Sequence, residues 1–185
     1  RIVGRKPESL GFAEAAALPL TTITAYEAFF ERLDLDRNGW NKGEILLIIG
    51  GAGGVGSIGI QLAKIAGLTV IATASRPETI NWVRELGADH VINHRNTLSE
   101  EFAKQGLPEA DYVISLNATE QHKGEIVKVV KPQGKFGFID DPKELNVMPF
   151  KAKAVSTHIE LMFTRSLFQT PDMVEQHHIL NEASR

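Results

Sequence analysis

The chain has 185 residues, 43% hydrophobic and 23% charged, with a formal net charge of −3, enough for one well-buried domain with something over. That balance gives no electrostatic reason to expect nucleic acid or an anionic membrane as partner, and no apolar run approaches the ~18 residues of a membrane span. The absence of cysteine excludes disulfides and thiolate zinc sites within these residues. A cytoplasmic location is the default, and because the chain opens on Arg1 rather than Met it is expected to be a piece of a longer protein.

Residues 1–11 are polar and are expected to form an extended connector. Ser9 and Gly11 precede FAEAAAL, a short alanine-rich helix that Pro19 closes or redirects. A second helix is expected over Thr21–Leu33, where Ile23, Tyr26, Phe29, Phe30 and Leu33 recur at helical spacing and form a face that must be covered. Asp36 to Gly43, with its Asn38-Gly39 pair, reads as a loop.

The stretch EILLIIGGAGGVGSIGIQLAK, Glu44 to Lys64, then organises the rest. Ile45–Ile49 is an unbroken apolar run, as expected of a strand buried on both faces of a parallel sheet. It empties into glycines, and Val55, Ile58, Leu62 and Ile65 follow at helical steps. Gly51, Gly53 and Gly56 fit G-x-G-x-x-G, with Gly54 and Val55 between them. Gly51 is expected to permit the tight turn, Gly53 to let backbone approach a pyrophosphate, and Gly56 to let helix pack on strand. The diphosphate would then rest on the unpaired amides of a helix N-terminus.

Gly67 is placed as a C-cap, and Thr69–Ala74 is the second strand. Pro77 opens a helix that runs to about Leu86 with Gly87 as its stop. HVIN at 90–93 is the third strand, Thr97–Lys104 a helix, and Ala110–Leu116 the fourth strand. Thr119 is expected to cap a helix ending near Lys131-Pro132; Gly134–Ile139 and Ala154–Leu161 follow as fifth and sixth strands. A last helix is expected from Thr170-Pro171, N-capped by the threonine. Six strands alternating with helices predict an α/β fold, a doubly wound parallel sheet. The division expected is a connector and leading helices at 1–35, a dinucleotide-binding domain at 36–170, and a returning helix at 171–185.

Dinucleotide folds that prefer NAD place an acidic residue after the second strand. Here that place is Ser75, followed by Arg76, with no acidic residue between Gly56 and Glu78. A hydroxyl beside a guanidinium suits a 2′-phosphate, so NADP(H) is the cofactor expected. The blander alternative is that Ser75 caps the helix at Pro77 and Arg76 is a solvated charge.

FAEAAALPLTTITAYEAFFERL, GGAGGVGSIGIQLAK and ATASRPETINWVRELGADHVINHR, in that order, resemble the medium-chain dehydrogenase/reductase superfamily. The branch they resemble most is the quinone-oxidoreductase-like proteins often labelled zinc-type alcohol dehydrogenase-like. The resemblance implies the cofactor-binding half of an enzyme whose catalytic half lies elsewhere, so this chain alone should bind cofactor weakly and turn nothing over. It also implies that Thr24 and Val55 lie beside the nicotinamide, and that backbone at Asn117 and Ile139 lines the same place. In the zinc-dependent branch the third catalytic ligand, usually Cys, stands four residues before that threonine; here it is Leu20, which cannot ligate a metal, and no catalytic zinc is expected. The six histidines show no metal-ligand pattern with a carboxylate.

The parent enzyme implied transfers hydride from NADPH to a quinone or enone. Alternatives are a zinc-dependent alcohol dehydrogenase, or a non-catalytic nucleotide-sensing domain. No acid or base is nominated, because the substrate cleft would lie between this domain and another. The sixth strand, expected at a sheet edge and rich in β-branched residues, is expected to pair with a second copy over Val155–Leu161, giving a homodimer.

Overall fold

β1 (Ile45–Ile49) is a run of five aliphatic residues, the last four almost wholly buried. Alternation along a strand sends Leu46 and Ile48 to one face and Leu47 and Ile49 to the other, and each pair joins a separate core. A strand apolar on both faces must be covered on both, and in the computed structural model, which describes residues 3–184, it is. The remainder of the expected connector and last helix, residues 1, 2 and 185, lies outside the described residues.

β1 is flanked by β2 (Thr69–Thr73) and β4 (Ala110–Ser115). β3 (His90–Ile92), β5 (Val130–Phe138) and β6 (Ser156–Ile159) extend the sheet to the order β3-β2-β1-β4-β5-β6, every pair parallel. This is the doubly wound six-stranded sheet that the alternation of elements predicts. On one face pack α2 (Leu18–Tyr26) with its continuation, α3 (Gly54–Ile65) and α4 (Pro77–Glu85); Phe29, Leu33, Ile60 and Val83 fill that core. On the other face pack α5 (Leu98–Gln105), α6 (Thr119–Val129) and a 3₁₀ turn at Met148–Lys153; Phe102, Ile126, Phe136 and Phe150 fill that core.

Several boundaries differ from the sequence-based expectation. The short helix α1 (Phe12–Ala15) ends before Pro19, which sits in the first turn of α2 and opens that helix instead of closing α1. The single helix expected over Thr21–Leu33 changes winding: Glu27–Arg32 is a π-helix, with Leu33 N–H donating to Ala28 O. β5 starts at Val130, so Lys131-Pro132 lies inside a strand; the residues between Val130 and Lys135 bulge out of register with β4, and Gln133 takes a positive φ of 62°. Past β6 comes α7 (Thr164–Phe168), which sequence reading missed, and the last helix, α8 (Glu175–Ala183), begins after Thr170 instead of being capped by it.

Those late elements are held by ion pairs that no local pattern announces. Arg165 of α7 is buried, and its guanidinium meets Glu27 Oε1 at 2.6 Å, Glu31 Oε1 at 3.0 Å and Asp172 Oδ2 at 2.9 Å. Glu27 and Glu31, four residues apart on the π-helical turn, both face that one guanidinium. Gln176 of α8 adds a bond to Glu27 Oε1 at 3.1 Å. Beside them Glu160, just past β6, is 3% exposed. Arg32 Nε lies 2.8 Å from its Oε2 but off the hydrogen-bond line, so neither oxygen of Glu160 has a hydrogen-bond partner among the described residues.

Burial, reinforced by the facing carboxyls of Glu27 and Glu31 against the opposing pull of Arg32, pushes the Glu160 carboxyl up to about 8 from 4.5. The folded chain therefore holds a proton that the unfolded chain releases above about 4.5. The stability this group contributes should be complete at low pH and fall as pH rises towards 8, by at most about 1.4 kcal/mol per pH unit. His94, His122 and His158, held below their ordinary 6.5 chiefly by burial, act in the opposite sense up to that pH. The difference in urea midpoint between wild type and Glu160→Gln isolates the effect, and a difference that stays constant from pH 5 to pH 8 would refute it.

Candidate functional site

All six strands are parallel, so their C-terminal ends share one rim, and strand order reverses between β1 and β4. Ligands of open α/β sheets bind outside the strand ends at that switch point. Gly50, just past β1, and Asn117, two residues past β4, meet there. Gly50 has φ +86°, and a Cβ on it would lie 2.7 Å from Asn117 Oδ1. The left-handed residue of the turn is thus Gly50, whereas the sequence pattern had assigned the turn to Gly51. Gly51 is needed for another reason: its Cβ would press on Ala72 Cβ of β2 at 2.8 Å. Gly50 N–H also donates to Thr73 Oγ1 at 3.0 Å, tying the turn to the end of β2.

Gly56 behaves as the motif implies. A Cβ there would stand 2.5 Å from both Gly50 O and Gly51 O, so only glycine lets α3 start this close to β1. Gly53 is the N-cap of α3 and, like Gly54, is exposed. A Cβ on Gly54 would meet Thr21 Cγ2 at 2.9 Å, which brings the start of α2 beside the turn.

The first turns of the sheet's helices differ in which amides a side chain reaches. At α4 the Thr79 hydroxyl accepts from Arg76 N–H at 3.2 Å, the amide of the N-cap residue and not one of the helix's own first turn. At α5 the Glu125 carboxylate accepts from Ser99 N–H at 3.0 Å. At α6 the Asp140 carboxylate accepts from Thr119 N–H at 2.9 Å and also from the Thr119 hydroxyl, so Asp140 fills the place expected of a Thr119 cap. At α3 no side chain among the described residues caps the helix. The amides of Gly54, Val55 and Gly56 have no intrahelical acceptor, and the positive end of the helix dipole is left uncovered.

Ser75, Arg76 and Asn117, with Gly50 and Gly53, line a cavity of about 390 Å³ in front of that turn. His94 and Arg95, which follow β3, line it too, and sequence reading missed both. The signal was available: the residue after each parallel strand belongs to the same rim, so the pair after HVIN could have been placed beside Ser75. Arg76 is exposed, with Nε 3.1 Å from Glu78 Oε1. The helix start is capped through Thr79 and the Arg76 backbone, which leaves the Ser75 hydroxyl without the capping role of the blander alternative.

The remaining candidates lie apart from this cavity. Thr24 is buried on α2 and its hydroxyl donates to Leu20 O at 2.8 Å. Val55 is half-buried in the first turn of α3. Ile139 donates its N–H to Ser115 O at 3.2 Å, holding the ends of β4 and β5 together. Leu20 is half-exposed, and no group of three or more His, Cys, Asp or Glu side chains that could hold a metal occurs among the described residues. Among the described residues no helix is long and apolar enough to cross a membrane. A second, more apolar groove of about 360 Å³ runs between α2, α3 and α8. It flanks the middle of α3, away from the bare amides, and its charged groups Arg37 and Glu182 already pair at 3.3 Å.

Residues 54–176 match the family of zinc-binding dehydrogenases. A zinc-type alcohol dehydrogenase-like protein of Staphylococcus aureus is 40% identical over the whole chain, which spans 56% of that relative. The 2-methylene-furan-3-one reductase of Solanum lycopersicum is 39% identical over 72% of the chain and 31% of its own length. A solved structure from Rhizobium etli, provisionally named a zinc-dependent alcohol dehydrogenase, superposes with a TM-score of 0.93 at 56% identity. It covers all of the chain and 54% of its own. The chain thus spans about half the length of the alcohol dehydrogenase-like proteins it matches.

Proposed function

Because the chain belongs to the zinc-binding dehydrogenase family, within the medium-chain dehydrogenases/reductases, we propose that it is the NADP(H)-holding part of a zinc-independent reductase acting on a quinone or an enone-type carbonyl. The observation that carries the reading is the uncapped, glycine-lined first turn of α3, in a sheet where side chains accept from first-turn amides of α5 and α6. On this reading residues 36–170 form the dinucleotide domain, and residues 1–35 and 171–185 connect it to a catalytic part.

The cradle fits the cofactor. The amides of Gly54, Val55 and Gly56 would hold the diphosphate, and the exposed Gly53 lets its oxygens come close to the backbone. Arg76 would take the 2′-phosphate with Ser75 beside it and Arg95 on the same cavity wall. The Arg76–Glu78 pair is exposed and costs little to break. When bound, the nicotinamide supplies the hydride; the chain's task is to align the cofactor and exclude water. Thr24, Val55, Asn117 and Ile139 are proposed to lie around the nicotinamide, as the family resemblance implies. Leu20 supports zinc independence, since an aliphatic side chain stands where the resemblance places a ligand. The enone class is supported by the furanone reductase among the relatives.

The test is titration with NADPH and NADH, then oxidation assays of the longer protein across quinones, enones and alcohols. Arg76→Ala should weaken NADPH about tenfold or more and leave NADH within about twofold; equal losses would refute the 2′-phosphate role. Turnover of simple alcohols dependent on added zinc would overturn the zinc-independent reading.

The same proposal extends to a twofold dimer through the edge strand β6, where Ile159 and, two residues beyond the strand, Leu161 are exposed. Light scattering should return twice the chain mass, reduced to a single mass by Ile159→Lys. A wild-type monomer at high concentration would count against it.

A further inference from the structure

Trp82 stands on α4 with 45% of its surface exposed, so burial does not account for the ring; α4's buried residue is Val83. Its indole N–H makes a specific contact, donating to Ser57 Oγ at 2.8 Å. Ser57 closes the first turn of α3, its own N–H donating to Gly53 O at 2.8 Å. α4, in turn, begins at Arg76 as N-cap. One side chain therefore ties the turn that presents the bare amides to the helix that starts at the guanidinium.

We propose that Trp82 is a positioning residue that sets the spacing between the diphosphate turn and the 2′-phosphate turn, and thereby the preference for NADPH over NADH. The inference rests on the cofactor reading above. NADPH must engage both turns at once, so its affinity depends on how well their separation is held before it arrives. NADH brings only a ribose hydroxyl to the second turn, where no carboxylate waits for it, and is far less sensitive to that spacing. A second brace, Lys64 Nζ to Asp89 Oδ2 at 2.7 Å, joins the far end of α3 to the segment after α4. It stabilises the same pair of helices without touching either phosphate turn, which makes it the control.

The experiment is calorimetric titration of wild type, Trp82→Phe, Ser57→Ala, their double variant and Lys64→Met with NADPH and with NADH. Each single change to the indole–hydroxyl pair should lower the NADPH:NADH affinity ratio about fivefold, with NADH itself within about twofold. The double variant should fall no further, and Lys64→Met should lower the melting temperature while leaving the ratio unchanged. An unchanged ratio in both singles, additive losses in the double, or an equal shift in Lys64→Met would overturn the inference while the cofactor reading stood. A wild type that binds NADPH no better than NADH would instead overturn the cofactor reading, and the inference with it.

Discussion

Gly53→Ala is expected to cut NADPH and NADH affinity alike, by about tenfold or more, while leaving the chain as stable as before or slightly more so. The backbone at Gly53 has φ −77° and ψ 174°, open to any residue, and a Cβ there would meet only Gly50 O at an ordinary 3.4 Å. Alanine also narrows the unfolded ensemble, worth about 0.4–1 kcal/mol. What the methyl group would obstruct is the approach of the diphosphate to the amides, and one lost charge-assisted bond accounts for the tenfold. Gly56→Ala should behave in the opposite way. Its Cβ would stand 2.5 Å from two backbone carbonyl oxygens, so α3 must move off β1 and stability should fall by about 1–3 kcal/mol. Calorimetry paired with thermal melts separates the two. If Gly53→Ala melted lower and bound normally, the glycine turn would be structural only.

Arg165→Met should be the most destabilising single change considered, at about 3–5 kcal/mol. The arginine is 8% exposed and Glu27, its partner at 2.6 Å, is 1% exposed. Removing the guanidinium leaves Glu27, Glu31 and Asp172 converging on an empty place, next to a Glu160 that already lacks a hydrogen bond. Breaking one side of a buried pair costs more than replacing both, so adding Glu27→Gln to Arg165→Met should restore part of the loss. Urea unfolding of the two variants checks this. A loss below about 1 kcal/mol for Arg165→Met would show the cluster to be solvated. Because Arg165 joins the π-helix to α7 and Asp172, the same variant should loosen the edge next to β6 and weaken any dimer formed there.

The sheet was legible wherever a signal is local. The aliphatic run of β1 marks its double burial, Pro77 and Gly87 bracket α4 within a residue or two, and Thr69–Thr73 shows its β-branched character. Legibility failed where a distant partner decides. Nothing near Lys131-Pro132 says that β4 offers Val130 a strand partner in Ala110. Nothing near Thr170 says that the helix waits until Glu175, after Arg165 and Asp172 have paired.

By itself the sequence determined the alternation of strands and helices, the doubly wound class and the glycine turn, because periodicity, proline and glycine act over a few neighbouring residues. Only the tertiary structure decided which helix start remains open. Asp140 reaches Thr119 from 21 residues away and Glu125 reaches Ser99 from 26, contacts that exist once the sheet has brought loops and helices to a common rim. It also moved the left-handed residue to Gly50, brought Arg95 to the same cavity as Arg76, and gathered four carboxylates around two arginines. Electrostatics and close packing depend on distance in space, and the chain acquires those distances only on folding.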